Sequence, residues 1–309
     1  MPMPSKTLKS GCVQLRHRPD DPGNRRQLTA AVEQAARQGC RLVLLPELHA
    51  GAYFCQTEDP ARCDLAEPVP GPTTDWLGSL ARELDLVLVG SVFERRAAGI
   101  YHNSAVVLDS DGHLAGVYRK MHIPDDPGFY EKFYFTPGDL GFSPVDTAAG
   151  RLGVLVCWDQ WFPEAARLMA LAGAELLLYP TAIGWDPADD PAEQARQLDA
   201  WITVQRGHAI ANGLPLLACN RVGHEVAGPE CDLGTGPEAD AVAGGIAFWG
   251  NSFCCGPQGE LLARAPADDE TLLLTEIDLG RAEQVRRIWP FLRDRRIDAY
   301  GDLLRRWRD

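Results

Sequence analysis

Short apolar runs alternate along the chain with longer stretches whose apolar positions recur at helical spacing. LKSGCVQL, starting at Leu8, precedes the helix-patterned RRQLTAAVEQAARQGC, and RLVLLPE follows. The helical stretch TTDWLGSLARELDL feeds LVLVGSVFE. HNSAVVLD and HLAGVYRK then flank the turn Ser110-Asp111-Gly112, a hairpin signature. Beyond residue 157 the order repeats: a helix, ELLLYPTA, the helix AEQARQLDAWITVQRGHAIANG, LPLLACNRV, and a second hairpin around Gly256–Gly259. Two strand-helix-strand-helix halves with meandering hairpins predict an α/β protein, with sheet stacked on sheet and helices outside.

Three strand ends carry candidate chemistry. In GRLGVLVCWDQWFPEAARLM, Gly153–Val156 reads as a buried strand and Pro163–Arg167 as a first helical turn, with Cys157 between them. A thiol there is expected to face solvent beside free backbone N–H groups that favour the thiolate, which suits a nucleophile. The competing reading is a buried core cysteine. In RLVLLPELHAGAYF, Pro46 ends the strand Leu42–Leu45 and leaves Glu47 at its carboxyl end, where open α/β sheets build sites. In GVYRKMHIPDDPGFYEKFYFTPGD, Lys120 closes a strand and enters a Pro/Gly-rich loop. Alone, Glu47 reads as a cap or surface carboxylate and Lys120 as a solvated charge. Together with Cys157 they form an acyl-transfer set.

These three motifs, LLPEL, YRKMHIP and VLVCWDQWFPE, resemble in order those of the nitrilase, or carbon–nitrogen hydrolase, superfamily. The resemblance runs from the strand near Leu8 to LLLTEIDL near residue 275. It implies a four-layer α-β-β-α sandwich and a Glu47-Lys120-Cys157 triad, with Glu131 as an additional assisting glutamate. An ordinary thiol, with a pKa of about 8.5, is mostly protonated at neutral pH. By the resemblance, Glu47 deprotonates Cys157 and later water, while Lys120 and the Trp158 N–H hold the oxyanion. Glu131 orients Lys120 or the substrate.

Composition narrows the setting. The 309 residues are 45% hydrophobic, enough for a large core, and no linker divides them, so one domain spanning 1–309 is expected. The amphipathic stretch 281–309, broken by Pro290, is expected to pack on its own domain or on a neighbouring subunit. Related enzymes commonly form homo-oligomers. The loop 227–245 is long, polar and glycine-rich, either a surface excursion or an active-site rim or subunit contact. A net charge of −13 argues against nucleic acid. No apolar run is long enough to span a membrane, and the first residues lack a signal core, so a cytoplasmic location is expected. Nine cysteines without a regular framework fit a reducing compartment. Scattered histidines, an adjacent Cys254-Cys255 pair on opposite strand faces, and the lack of a phosphate-loop or dinucleotide fingerprint lead to an expectation of no metal and no cofactor.

The flanking segments MHIPDDPGFYEKFYFTPGD and GHAIANGLPLLACNRVG resemble the N-carbamoylputrescine amidase branch of that superfamily. The resemblance implies a small cationic carbamoyl substrate with a urea-like head at Cys157 and a distant ammonium. TAIGWDP offers Asp186 for the ammonium; the competing reading is a helix cap. Trp185 adds an aromatic wall where that branch commonly has a serine. Asp125 and Asp126 are further acidic candidates, read otherwise as turn residues. No arginine follows Cys157 until Arg167, so a substrate carboxylate lacks an obvious partner. Another small amidase or a β-ureidopropionase-like hydrolase stays open, as does a non-catalytic scaffold with Cys157 as a redox-sensitive thiol.

Overall fold

The computed structural model describes residues 7–18, 21–226 and 244–308. Residues 227–243 of the glycine-rich loop therefore lie outside the described residues. The first half builds β1 (Thr7–Gln14), α1 (Asp21–Arg37), β2 (Leu42–Leu44), α2 (Pro72–Leu84), β3 (Val87–Ala97), β4 (Ile100–Leu108) and β5 (Leu114–Arg119). The chain continues through the single turn α3 (Glu131–Tyr134), β6 (Val145–Thr147), β7 (Gly150–Val154), α4 (Pro163–Leu171) and β8 (Leu176–Pro180). It then forms β9 (Gly184–Trp185), α5 (Pro191–Asn212), β10 (Leu216–Cys219), β11 (Val222–Glu225) and β12 (Ile246–Trp249). β13 (Phe253–Cys255), β14 (Leu261–Arg264), β15 (Thr271–Asp278) and α6 (Gly280–Ile288) close the list.

Two six-stranded mixed sheets result, in the orders β15-β1-β2-β3-β4-β5 and β14-β13-β10-β8-β7-β6. Each has a parallel centre, β1-β2-β3 and β7-β8-β10, flanked by antiparallel strands. Side-chain alternation explains why they stack. Leu42, Leu44, Val87 and Val89 join one core with Leu152, Val154, Leu176 and Leu178 of the other sheet. Their neighbours Val43 and Leu88 turn outward onto Leu28 and Val32 of α1 and Leu77 and Ala81 of α2. Strands buried on both faces read as continuous apolar runs, as these do. β1 and β10 meet across the inter-sheet core, where the Cys12 Sγ donates to Ala218 O at 3.6 Å and the Cys219 Sγ to Val13 O at 3.5 Å. The architecture is thus the α-β-β-α sandwich expected from the sequence.

Local signals set the ends of the helices. α2, α4 and α5 each begin on a proline, whose missing N–H costs nothing in a first turn. The Asp190 side chain caps α5 by accepting from Ala192 N at 2.7 Å, and Gly213 ends that helix at φ 57°. Both expected hairpins form, β4-β5 and β13-β14. A third sheet, β11-β12-β9, was not expected from the pattern. No helix among the described residues is long and apolar enough to cross a membrane.

Candidate active site

The carboxyl ends of strands from both sheets converge on one buried cluster. Glu47 follows β2, Lys120 follows β5, Cys157 follows β7 and Ala182 follows β8. Glu47, Lys120 and Glu131 are fully buried and Cys157 is 3% exposed. Lys120 Nζ donates to Glu47 Oε1 at 2.8 Å and to Glu131 Oε2 at 2.6 Å. Glu47 also accepts from Asn103 Nδ2 at 2.6 Å and from the Ala182 backbone N–H at 2.9 Å. The Ser91 hydroxyl, donating to Asn103 Oδ1 at 3.2 Å, orients that amide. Tyr53 OH donates to the other Glu131 oxygen, Oε1, at 2.8 Å. The Cys157 thiol donates to Ala182 O at 3.8 Å, which puts it beside the same segment that holds Glu47.

The electrostatics follow from this burial. Desolvation by itself would pull the Lys120 ammonium down, but the Glu131 and Glu47 carboxylates outweigh it and hold the ammonium well above its usual value. Burial raises the Glu131 carboxyl to about 7, opposed by Lys120 and reinforced by Glu47. Burial also pushes the Cys157 thiol well above its ordinary value. Glu47 adds to that shift and Lys120 opposes it. The expectation of a solvent-facing thiol poised as thiolate is therefore corrected. Burial and the neighbouring Glu47 carboxylate thus favour the neutral thiol over the thiolate.

The turn that carries Cys157 is a 3₁₀ segment, Cys157–Trp161, and not the mouth of a regular helix. Cys157 has φ 43°, a left-handed conformation uncommon for a side-chain-bearing residue. Strain of that kind persists only where neighbours over-determine it. Here the buried Asp159 carboxylate does so. It accepts from Val156 N at 2.9 Å, Tyr118 OH at 2.8 Å and His122 N at 3.0 Å, and it pairs with His122 Nδ1 at 2.7 Å. Asp159 thus ties the Cys157 turn to the end of the Lys120 strand. Trp158 is partly buried on the same turn, and its N–H follows the nucleophile candidate directly.

The structure brings Glu47, Lys120, Glu131 and Cys157 together, with Trp158 adjacent. Asp186 stands apart. It is exposed, and its Oδ1 accepts from Ala188 N at 2.9 Å, a local turn. It does not cap α5, which Asp190 does. Asp125 and Asp126 are exposed. Sequence reasoning missed Asn103, Tyr53, Asp159 and the Ala182 backbone. Only Asp159, two residues from Cys157 within the same motif, left a local trace.

Comparison with known proteins gives the family. The family model for carbon–nitrogen hydrolases matches residues 9–287. The chain is 44% identical over 274 residues to an N-carbamoylputrescine amidase of Solanum lycopersicum, covering 88% of this chain and 87% of the relative. It is 39% identical over 301 residues to a citrullinase of Francisella tularensis, covering 97% of this chain and 99% of the relative. A crystal structure of a carbon–nitrogen hydrolase from Helicobacter pylori G27 matches with a TM-score of 0.91 at 53% identity, covering 98% of this chain and all of that one. This chain belongs to the nitrilase, or carbon–nitrogen hydrolase, superfamily and is a hydrolase of that family.

Proposed function

We propose that the protein hydrolyses a small amine-bearing carbamoyl compound, N-carbamoylputrescine in the first instance, to the amine, ammonia and carbon dioxide. The observation that carries the reading is the buried Lys120 ammonium held between two carboxylates beside a buried thiol. Glu47 takes the Cys157 proton as the sulfur attacks the ureido carbonyl, so a thiolate forms only when substrate is present. Lys120 has one Nζ proton left after Glu47 and Glu131. That proton and the Trp158 N–H receive the developing oxyanion. The Glu47 proton then passes to the departing amine nitrogen, and Glu47 next activates the water that cleaves the thioester-like acyl-enzyme. Glu131 orients Lys120.

Asp186 is the acid we assign to the ammonium tail. It directly follows Trp185 of β9, whose ring is the aromatic wall expected beside an ammonium. A second reading is favoured by the citrullinase relative, whose name denotes a ureido amino acid. Such a substrate needs a cation for its carboxylate. The buried arginine nearest this site, Arg221, is already committed to backbone carbonyls and Glu225. The test is ammonia release from N-carbamoylputrescine, citrulline and N-carbamoyl-β-alanine in parallel. Selective turnover of the first supports the amine reading. Turnover of citrulline or the β-alanine derivative alone overturns it while leaving the thiol chemistry standing. No turnover of any amide or urea would favour a scaffold.

The described cysteines are free thiols, which supports a reducing, cytoplasmic setting. We also propose a homo-oligomer. The segment 288–307 exposes Ile288, Ile297, Leu303, Leu304 and Trp307, the last two at 95% and 82%. A second copy of the chain is the partner we assign to that surface.

A further inference from the structure

Behind the cluster lies a second buried ion pair to which the proposed chemistry assigns no step. Arg221, directly before β11, is 3% exposed and Glu225 is 1% exposed. Arg221 Nη1 donates to Glu225 Oε1 at 2.8 Å. The rest of the guanidinium is spent on the backbone of the loop that carries Glu47. Nε and Nη2 reach Glu47 O at 3.2 and 3.1 Å, and Nη2 also reaches Gly51 O at 3.0 Å and Leu48 O. Leu48 sits at φ 47°, so this loop is strained at the residue after the general-base candidate. The other Glu225 oxygen accepts from Tyr53 N at 2.7 Å, and Tyr53 OH is the donor to Glu131.

We propose that the Arg221–Glu225 pair is a positioning device for hydrolysis. It holds the Glu47 backbone directly and the Glu131 carboxylate through Tyr53, so that both flank Lys120. The inference rests on the Glu47-Lys120-Cys157 reading above. A planar guanidinium lying 5.7 Å over the Phe248 ring and serving several acceptors at once has no lysine equivalent, since an ammonium is a point donor. Loosening the clamp lets the carboxylates drift from the sulfur and the ammonium, which slows proton transfer without removing any group that touches the substrate.

The test compares wild type, Arg221→Lys, Tyr53→Phe and Cys157→Ala. Two readouts are taken between pH 5 and 10: ammonia release from whichever of the three ureido compounds the wild type turns over, and iodoacetamide labelling of Cys157 followed by mass spectrometry. For Arg221→Lys we expect kcat to fall tenfold or more with KM within threefold, and the labelling profile to move to higher pH. An Arg221→Lys enzyme with wild-type kcat and labelling profile overturns the proposal, as does one that changes only KM. Should Arg221→Lys fail to fold, Tyr53→Phe decides. Loss of its hydrogen bond to the charged Glu131 should raise the acid limb of kcat by half a pH unit or more, and an unmoved limb overturns the proposal. Cys157→Ala separates the two levels. If it stays active, the triad reading itself fails; if it is inert while Arg221→Lys is unaffected, only the clamp fails.

Discussion

At the scale of single residues, the cluster places charge where burial opposes it, and each charge survives only through its partners. Lys120 is the pivot, because removing it strands two buried carboxylates and takes away the donor proposed for the oxyanion. Lys120→Met should cost about 3–4 kcal/mol of barrier, roughly 100- to 1,000-fold in kcat, read by ammonia release. Glu131 gives a pH signature. Its carboxyl is raised from 4.5 to about 7 in the folded protein. The folded state therefore holds a proton that the unfolded state has lost between those values, and stability falls as pH rises through that window. Glu131→Gln should flatten the dependence of Tm on pH between about 4.5 and 7. An unchanged slope would remove Glu131 as its source. Burial also pushes the Cys157 thiol up, so iodoacetamide labelling of the free enzyme at pH 7 should be slow and rise with pH. A fast, pH-independent reaction would show a preformed thiolate.

Among the elements, the site depends on how turns are tied to strands. The Cys157 turn is held by a side chain from within itself, Asp159, whose oxygens take up the Val156 and His122 N–H groups and the Tyr118 hydroxyl. Asp159→Ala leaves those buried donors without acceptors and should destabilise the fold by about 3 kcal/mol or more in urea unfolding. A loss below 1 kcal/mol would mean that the turn stands without it. Gly138 controls the Lys120 strand in a similar way. Its N–H donates to Lys120 O at 2.8 Å, and a Cβ there would lie 2.0 Å from Arg119 O. Gly138→Ala must displace that strand end, so it should lower kcat as well as Tm. A Gly138→Ala enzyme with wild-type values of both would show the contact to be soft.

Over the whole molecule, stacking two sheets with parallel centres brings their carboxyl ends to one place, and that convergence assembles the candidate site from two halves. Glu47 N donates to Thr181 O at 3.3 Å and Thr181 N to Cys219 O at 2.8 Å, so the two sheets are stitched at the site itself. The exposed apolar residues of 288–307 lie outside this core. Light scattering on the full chain should report a dimer or larger, and Leu304→Asp with Trp307→Asp should lower the mass to that of one chain. A wild-type protein that is monomeric at micromolar concentration removes the assignment.

Glu47, Lys120 and Cys157 were legible in the sequence as candidates because strand ends announce themselves locally, by an apolar run broken at Pro46, at the Pro/Gly loop after Lys120, or before Pro163, whereas Glu131, on the single turn α3, came only through the family resemblance. The alternation of strands and helices likewise determined the α/β class, since burial on one or both faces leaves a period in the chain. The small β9-β11-β12 sheet left none, because its two-residue strand is too short to show a period. Tertiary structure alone decided who holds the site. Ala182 reaches Glu47 across 135 residues of chain and Arg221 across 174, and no local pattern encodes contacts of that separation. It also decided the surroundings of the sulfur: a strand-to-helix corner read locally faces solvent and favours a thiolate, whereas the folded chain buries Cys157 beside Glu47, and both raise the thiol above its ordinary value.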